Sequence, residues 1–408
     1  MKYSQKIKRN KELFLELSSE KEYQISILSN VTVNQFSGIL EYSLRKKEIK
    51  ATAIIGDYDN IVQDSIKYCH SDCIIIFWEI DNLVDGFGYK STLMSDEDLL
   101  SLENKIKADI DFVVANLKDT SLVLFNSFSP VHNSEFILDD GKVDKMASSL
   151  NRYLAKNLPN NFKLIEIDKV KSICSLKDVL DFRFYYLSKA PYTIKFFEQY
   201  CKCILPFFMS VRGKAKKVLI FDCDNTLWKG ILGEDGLDGI RMSADRKAAM
   251  YEEVQYLAKY LAKSGVIIGL CSKNNREDID QVLKSHPDMI LKDEDISIKK
   301  VNWDDKAKNL HEIATELNLG LDSMVFVDDS DFEVSNIKER IPEITVLQVP
   351  KQLYKYPKMI KDSFSLFFNH SRTKEDTLKI KMYCVESKRK ESHSQFKDLS
   401  SYLRSLCL

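Results

Sequence analysis

Short apolar runs of strand length alternate along this chain with longer amphipathic segments, and the alternation occurs twice. The first series is ISILS (25–29), ATAIIGDY (51–58), CIIIFWEI (73–80), SLVLFNSF (121–128) and FKLIEID (162–168). Between these lie stretches such as VNQFSGILEYSLRKK (33–47), whose apolar residues recur at helical spacing. The second series is VLIFDCD (218–224), VIIGLCS (266–272), ISIKKVN (296–302), SMVFVDD (323–329) and ITVLQVP (344–350). Nearly continuous apolar strands separated by helices predict parallel sheets covered on both faces. Helices of the second series are expected to begin near Asp245, Arg276, Asp304 and Asp331, where an acidic residue suits the N-terminal amides.

A chain of 408 residues exceeds one ordinary core. The expected division is an N-terminal α/β domain over 1–213, a catalytic α/β domain over 214–352 and a helical extension over 353–408. The segment 181–213 reads as mostly helical and joins the two halves. A formal net charge of −1 gives no basic field to attract nucleic acid. No apolar run reaches membrane-spanning length, and the charged N-terminus lacks a signal-peptide core, so a cytoplasmic location away from membranes is expected. The nine cysteines and six histidines are dispersed without CxxC pairs, which predicts reduced thiols and no zinc site.

Ligands of doubly wound sheets bind beyond the carboxyl ends of the strands, where the polar residues of the second series fall. The run FDCDNTLWKGILGEDG (221–236) leaves its strand through Asp222 and Asp224; Ser272 ends the next strand, and Asp328 and Asp329 end a later one. Such carboxylates repel unless a hard cation holds them, and magnesium on Asp222, Asp224, Asp328 and Asp329 is the expected cofactor. The set fits phosphoryl transfer. Asp222 would be the nucleophile and Asp224 the general acid and base. Thr226 and Ser272 would offer hydroxyls to phosphate, and Lys306 would balance its charge. Either acidic pair alone reads equally well as turn residues. Cys271 has two open readings, a thiolate that accepts an acyl group or a small core residue. Cys223 reads as buried and inert.

DCDNT resembles the DxDxT signature of the haloacid dehalogenase (HAD) superfamily, and SKN (272–274), Lys306 and VDDS (327–330) resemble its other motifs in order. More narrowly, FDCDNTLWKGILGEDG, GLCSKNN, VNWDDKAKNL, LNLGLDSMVFVDDS and RTKEDTLKIKMY resemble the FkbH-like proteins of HAD subfamily IIIC. Lys229 stands where glycine is common, and DDSDFE replaces the usual DDNPxE, which leaves Glu333 without a family role.

The resemblance implies a Rossmann-like catalytic sheet without a large cap, preceded by an SGNH-like or flavodoxin-like α/β domain. It implies that Ser272, Lys273 and Asn274 hold phosphate and that Trp228 shapes the substrate mouth, although a packed aromatic is as good a reading of Trp228. FkbH-like proteins take a glyceryl unit from 1,3-bisphosphoglycerate and load it as a thioester on an acyl carrier protein. That activity and those partners are the expectation here; a plain HAD phosphatase of a small phosphorylated metabolite and a non-catalytic scaffold are the alternatives. In the first domain Ser29 occupies the place of an SGNH serine, but GDS is absent and no DxxH partner is found. A binding module is the expectation there, with Asn30, Thr32 and Asp81 as polar residues without a task.

Overall fold

The computed structural model describes residues 3–130, 141–243 and 247–369. The chain divides into two compact units, Met1–Leu205 and Pro206–Leu408, each built on a five-stranded, wholly parallel sheet. The two-domain α/β fold expected from the alternation is the one observed. Among the described residues, no helix is long and apolar enough to cross a membrane.

The first sheet contains β1 (Tyr23–Ser29), β2 (Ala51–Ile55), β3 (Cys73–Phe77), β4 (Leu122–Asn126) and β5 (Phe162–Ile165) in the order β2-β1-β3-β4-β5. Every residue of β3 and β4 is buried, which is why their sequences do not alternate. On one face the rings of Phe36, Phe77, Phe197 and Tyr200 interlock, with centroids 5.0 Å apart between Phe77 and Tyr200. The strand order reverses between β1 and β3, so the crevice of this unit opens above their carboxyl ends. Ser29, at the end of β1, does not present a free hydroxyl. Its Oγ donates to the Val31 carbonyl at 2.8 Å and accepts from the Val31 amide at 3.1 Å.

Glu79 follows β3 and is 3% exposed. Burial pushes its carboxyl up to about 7, against the pull of Lys171 and Tyr192. The folded state therefore holds this proton more tightly than the unfolded state. The stability it contributes is complete below about 4.5 and is lost as pH rises through about 7, a span worth about 3 kcal/mol. Glu79→Gln is expected to flatten that slope, read as β3 hydrogen-exchange protection at pH 5 and pH 8. An equally steep fall in the variant would place the titration elsewhere.

The second sheet contains β6 (Val218–Phe221), β7 (Ile267–Ser272), β8 (Ile298–Val301), β9 (Met324–Asp328) and β10 (Thr345–Gln348) in the order β10-β9-β6-β7-β8. Its switch point lies between β6 and β9, whose register pairs Phe221 with Val327 and so brings Asp222 beside Asp328. Helices start at Arg276, Lys306 and Asp331, close to the expected positions. Another, Ala249–Lys263, follows the expected start at Asp245, which lies outside the described residues.

The boundary at 205/206 falls inside the helix Ile194–Val211, at its internal Pro206. Beyond it, Phe207 packs edge-on against Phe368 at 4.7 Å. The described part of the tail, 353–369, joins the core of the second unit. Tyr356, Ile360 and Phe367 sit in the same cluster as Phe221 and Trp228. The Lys216 amide donates to the Leu366 carbonyl at 2.7 Å. The remainder of the tail, with RTKEDTLKIKMY and its expected cap Thr373, lies outside the described residues.

Candidate active site

Four strand ends meet at the switch point of the second sheet. Asp222 follows β6, its amide donating to the Val327 carbonyl at 2.9 Å, and Asp328 closes β9. Lys306 opens the helix Lys306–Leu317, capped by Asp305, and reaches between them. Its Nζ lies 2.9 Å from Asp222 Oδ1 and donates to Asp328 Oδ2 at 2.7 Å. All three groups are buried. Burial alone would lower the Lys306 pKa, but Asp222 and Asp328 outweigh it and the ammonium is held well above its ordinary range. Burial pushes the Asp222 carboxyl up to about 6; Lys306 opposes this and Asp328 adds to it. Asp329 is raised by burial and by its neighbour Asp328.

Asp222, Asp328 and Asp329 each bring an oxygen within 4.8 Å of the others, the only such group of three among the described residues. One ammonium offsets one of three carboxylates, so the donor set and its charge fit a hard divalent cation. A second sign is Thr226, wholly buried, whose Oγ1 has no hydrogen-bond partner. The backbone carrying it turns sharply, with Asn225 at φ 52° and Gly230 at φ 107°. A Cβ at Gly230 would stand 2.6 Å from Asp235 Oδ2, so the position requires glycine.

Asp224 lies apart from that trio, although it was expected among the metal ligands. Its Oδ1 accepts from Trp228 Nε1 and from the Leu232 amide, both at 3.0 Å, and its Oδ2 accepts from Asn274 Nδ2 at 2.9 Å. Three donors fix the carboxylate as an acceptor, the state needed to take a proton from water. Trp228, expected at the substrate mouth, is fully buried in the core and meets the site only through its indole N–H. An aromatic four residues after the second aspartate gave no sign of this bond, which depends on how the loop folds back. Asn274 Nδ2 also donates to Ser272 Oγ at 3.1 Å, so one amide bridges Ser272 and Asp224. Lys273 Nζ pairs with Glu333 at 2.7 Å, which gives Glu333 a partner that sequence reasoning had not supplied.

Of the two open readings of Cys271, the geometry fits the core residue. It is wholly buried beneath the helix Lys306–Leu317, among Ile220, Ile298 and Leu310. Its Sγ makes only a weak contact, 3.9 Å from the Lys306 carbonyl. Burial drives the thiol far above its ordinary range, and the pull of Lys306 does not offset this. A protonated, inaccessible thiol cannot accept an acyl group, so Cys271 is a core residue. Cys223 is buried as expected. Cys271→Ser is expected to keep full phosphate release per folded molecule while losing roughly 1–3 kcal/mol of stability through the buried hydroxyl. Iodoacetamide labelling of native protein should leave the Cys271 peptide unmodified; rapid alkylation there would restore the thiolate reading.

No family model matches this chain, and no curated protein does. A solved structure does: the N-terminal part of the protein BF1531 from Bacteroides fragilis, containing a phosphatase domain and complexed with Mg. The two chains superpose with a TM-score of 0.74 at 22% identity, over 90% of this chain and 99% of that one. At this identity the likeness is one of fold, and it takes in both units.

Proposed function

We propose that this protein is a magnesium-dependent phosphoryl-transfer enzyme of the HAD type, with Asp222 as the nucleophile. The observation that carries the reading is Lys306 bridging Asp222 and Asp328 at the switch point, with Asp329 completing a trio fit for a cation. The fold shared with a magnesium-complexed phosphatase domain supports it. Magnesium, held by Asp222, Asp328 and Asp329, would neutralise charge on the transferring phosphoryl group. An Asp222 oxygen attacks phosphorus and the bond to the leaving oxygen breaks, giving an aspartyl phosphate. Asp224 then takes a proton from water, whose oxygen attacks phosphorus and releases phosphate and free Asp222. Lys306 stays between Asp222 and Asp328 throughout, so the nucleophile keeps its aim.

The finer reading is loading of a glyceryl unit from 1,3-bisphosphoglycerate onto an acyl carrier protein. The motif likeness supports it. With Cys271 buried, the carrier's thiolate would attack the acyl carbon of the donor directly and expel the anhydride phosphate, and the phosphoryl group passed to Asp222 would be the donor's other, ester-linked one. Intact-mass analysis of candidate carrier proteins, incubated with this protein, magnesium and 1,3-bisphosphoglycerate, tests it. Phosphate release without a mass gain on any carrier would leave the plain phosphatase.

Magnesium is expected to raise the unfolding midpoint by mass action. Asp329→Ala should remove most of that gain, whereas Glu333→Gln should keep it. A midpoint indifferent to magnesium in the native protein would sink the metal assignment.

A further inference from the structure

Asn309 lies in the first turn of the helix Lys306–Leu317, wholly buried although its helix neighbours Ala307, Leu310 and Ile313 form an apolar core. A buried amide costs free energy unless its polar atoms are met, and here a second amide meets them. Asn302 follows β8 and is half-buried. Asn309 Nδ2 donates to Asn302 Oδ1 at 2.8 Å, and Asn302 Nδ2 donates back to Asn309 Oδ1 at 3.2 Å. The Asp304 amide also donates to Asn302 Oδ1, at 3.0 Å, which settles the orientation of both side-chain amides.

Lys306 sits inside the loop that this pair closes. Only Trp303, Asp304 and Asp305 separate it from Asn302, and all three are exposed. Apolar contacts beneath the helix are non-directional, whereas a fully satisfied buried amide pair fixes one arrangement. Asn302 is tied in turn to the neighbouring strand, its backbone amide donating to the Ser272 carbonyl at 3.2 Å. The end of β7 and the helix that carries Lys306 therefore share one register. Lys306 Nζ depends on it, because a shift of about 1 Å would take the ammonium out of hydrogen-bond range of Asp222 or Asp328. We propose that Asn309, acting through Asn302, is a positioning residue that sets the reach of Lys306 to these two carboxylates.

The kinetic consequence rests on the phosphoryl-transfer reading, whereas the ion-pair geometry stands without it. In that reaction Lys306 keeps the nucleophile aimed, so a slack Lys306 slows attack on phosphorus more than it weakens binding. Both hydrogen bonds of the Asn309 side chain go to Asn302, so its effect reaches the site through Lys306 and not by contact. Thr226 and the aspartates of the site lie on other elements, and binding of substrate and magnesium should persist without the pair.

Asn309→Leu in the full chain is the variant, because leucine nearly keeps the volume and the half-buried Asn302 can turn its amide to water. With acetyl phosphate and magnesium, kcat per folded molecule is expected to fall by about tenfold or more, with KM within about threefold of native. Loss of folded protein alone would not move kcat per folded molecule. A second readout needs no activity: urea unfolding of the second unit in magnesium-free buffer, run as a cycle with Lys306→Met. Removing the ammonium should cost less once its aim is gone, so the effect of Lys306→Met on the unfolding constant should shrink about tenfold in the Asn309→Leu background. Should Asn309→Leu fail to fold, Asn302→Leu breaks the same pair from its half-buried side and is read in the same two ways. Native kcat in folded Asn309→Leu protein, or an undiminished effect of Lys306→Met, would each overturn the assignment. If native protein releases no phosphate, the phosphoryl-transfer reading falls and the unfolding cycle alone decides the role of Asn309.

Discussion

Asp222→Asn is expected to lower phosphate release by a factor on the order of 10⁴ or more, the scale of losing a covalent nucleophile. The amide is isosteric and cannot attack phosphorus. The fold should survive, because burial already disfavours the Asp222 anion and Lys306 keeps Asp328 as a partner. Acetyl phosphate with magnesium is the assay, and thermal unfolding in magnesium-free buffer is the control for folding. The variant should also fail to trap an acid-stable phosphoprotein. Turnover at a tenth of the native rate by folded Asp222→Asn protein would take the nucleophile role from this residue.

Lys306→Met is expected to cost about 3–5 kcal/mol of stability in magnesium-free buffer, because it leaves the buried Asp222 and Asp328 without their ammonium. The methionine keeps the volume of the stem, which carries the ammonium over the Phe326 ring, so lost packing accounts for little of the loss. Magnesium should restore part of the stability by supplying positive charge to the same oxygens, although catalysis should stay low. Urea unfolding of the second unit with and without magnesium separates the two effects. An unchanged midpoint in the variant would mean that these carboxylates are solvated rather than held by Lys306.

The fold was legible because its strands are buried on both faces and their apolar runs stand out; β3, CIIIF, needs no partner to be recognised. The order of the strands was not legible. It depends on crossovers, and only the register of Phe221 with Val327 shows that Asp222 and Asp328 are neighbours. The cluster of Asp222, Lys306, Asp328 and Asp329 could be anticipated because parallel strands deliver their carboxyl ends to one side. Side-chain direction at those ends could not. Asp224 turns to Trp228 and Asn274, Trp228 turns into the core, and Cys271 lies under a helix although Ser272 beside it reaches the site. The first two depend on dihedral angles in a loop, which motif spacing does not encode, whereas the opposite directions of Cys271 and Ser272 follow from alternation along β7. The 205/206 boundary was missed because the helix Ile194–Val211 runs through it without a change in composition.

The hydroxyl of Tyr356 donates to the Thr226 carbonyl at 3.1 Å, tying the loop of Asp222 and Asp224 to a helix 130 residues downstream. During synthesis on the ribosome, β6 and its acidic loop emerge long before that helix. The loop therefore waits for its anchor, and nascent chains stalled before residue 356 should hold a sheet without a competent site. Because the Lys216 amide also pairs with the Leu366 carbonyl, the strand that begins the unit is locked only when the last described turn arrives. Closure of the acidic loop is thus a late event in the life of the chain, one that waits for translation of the helix at Tyr356.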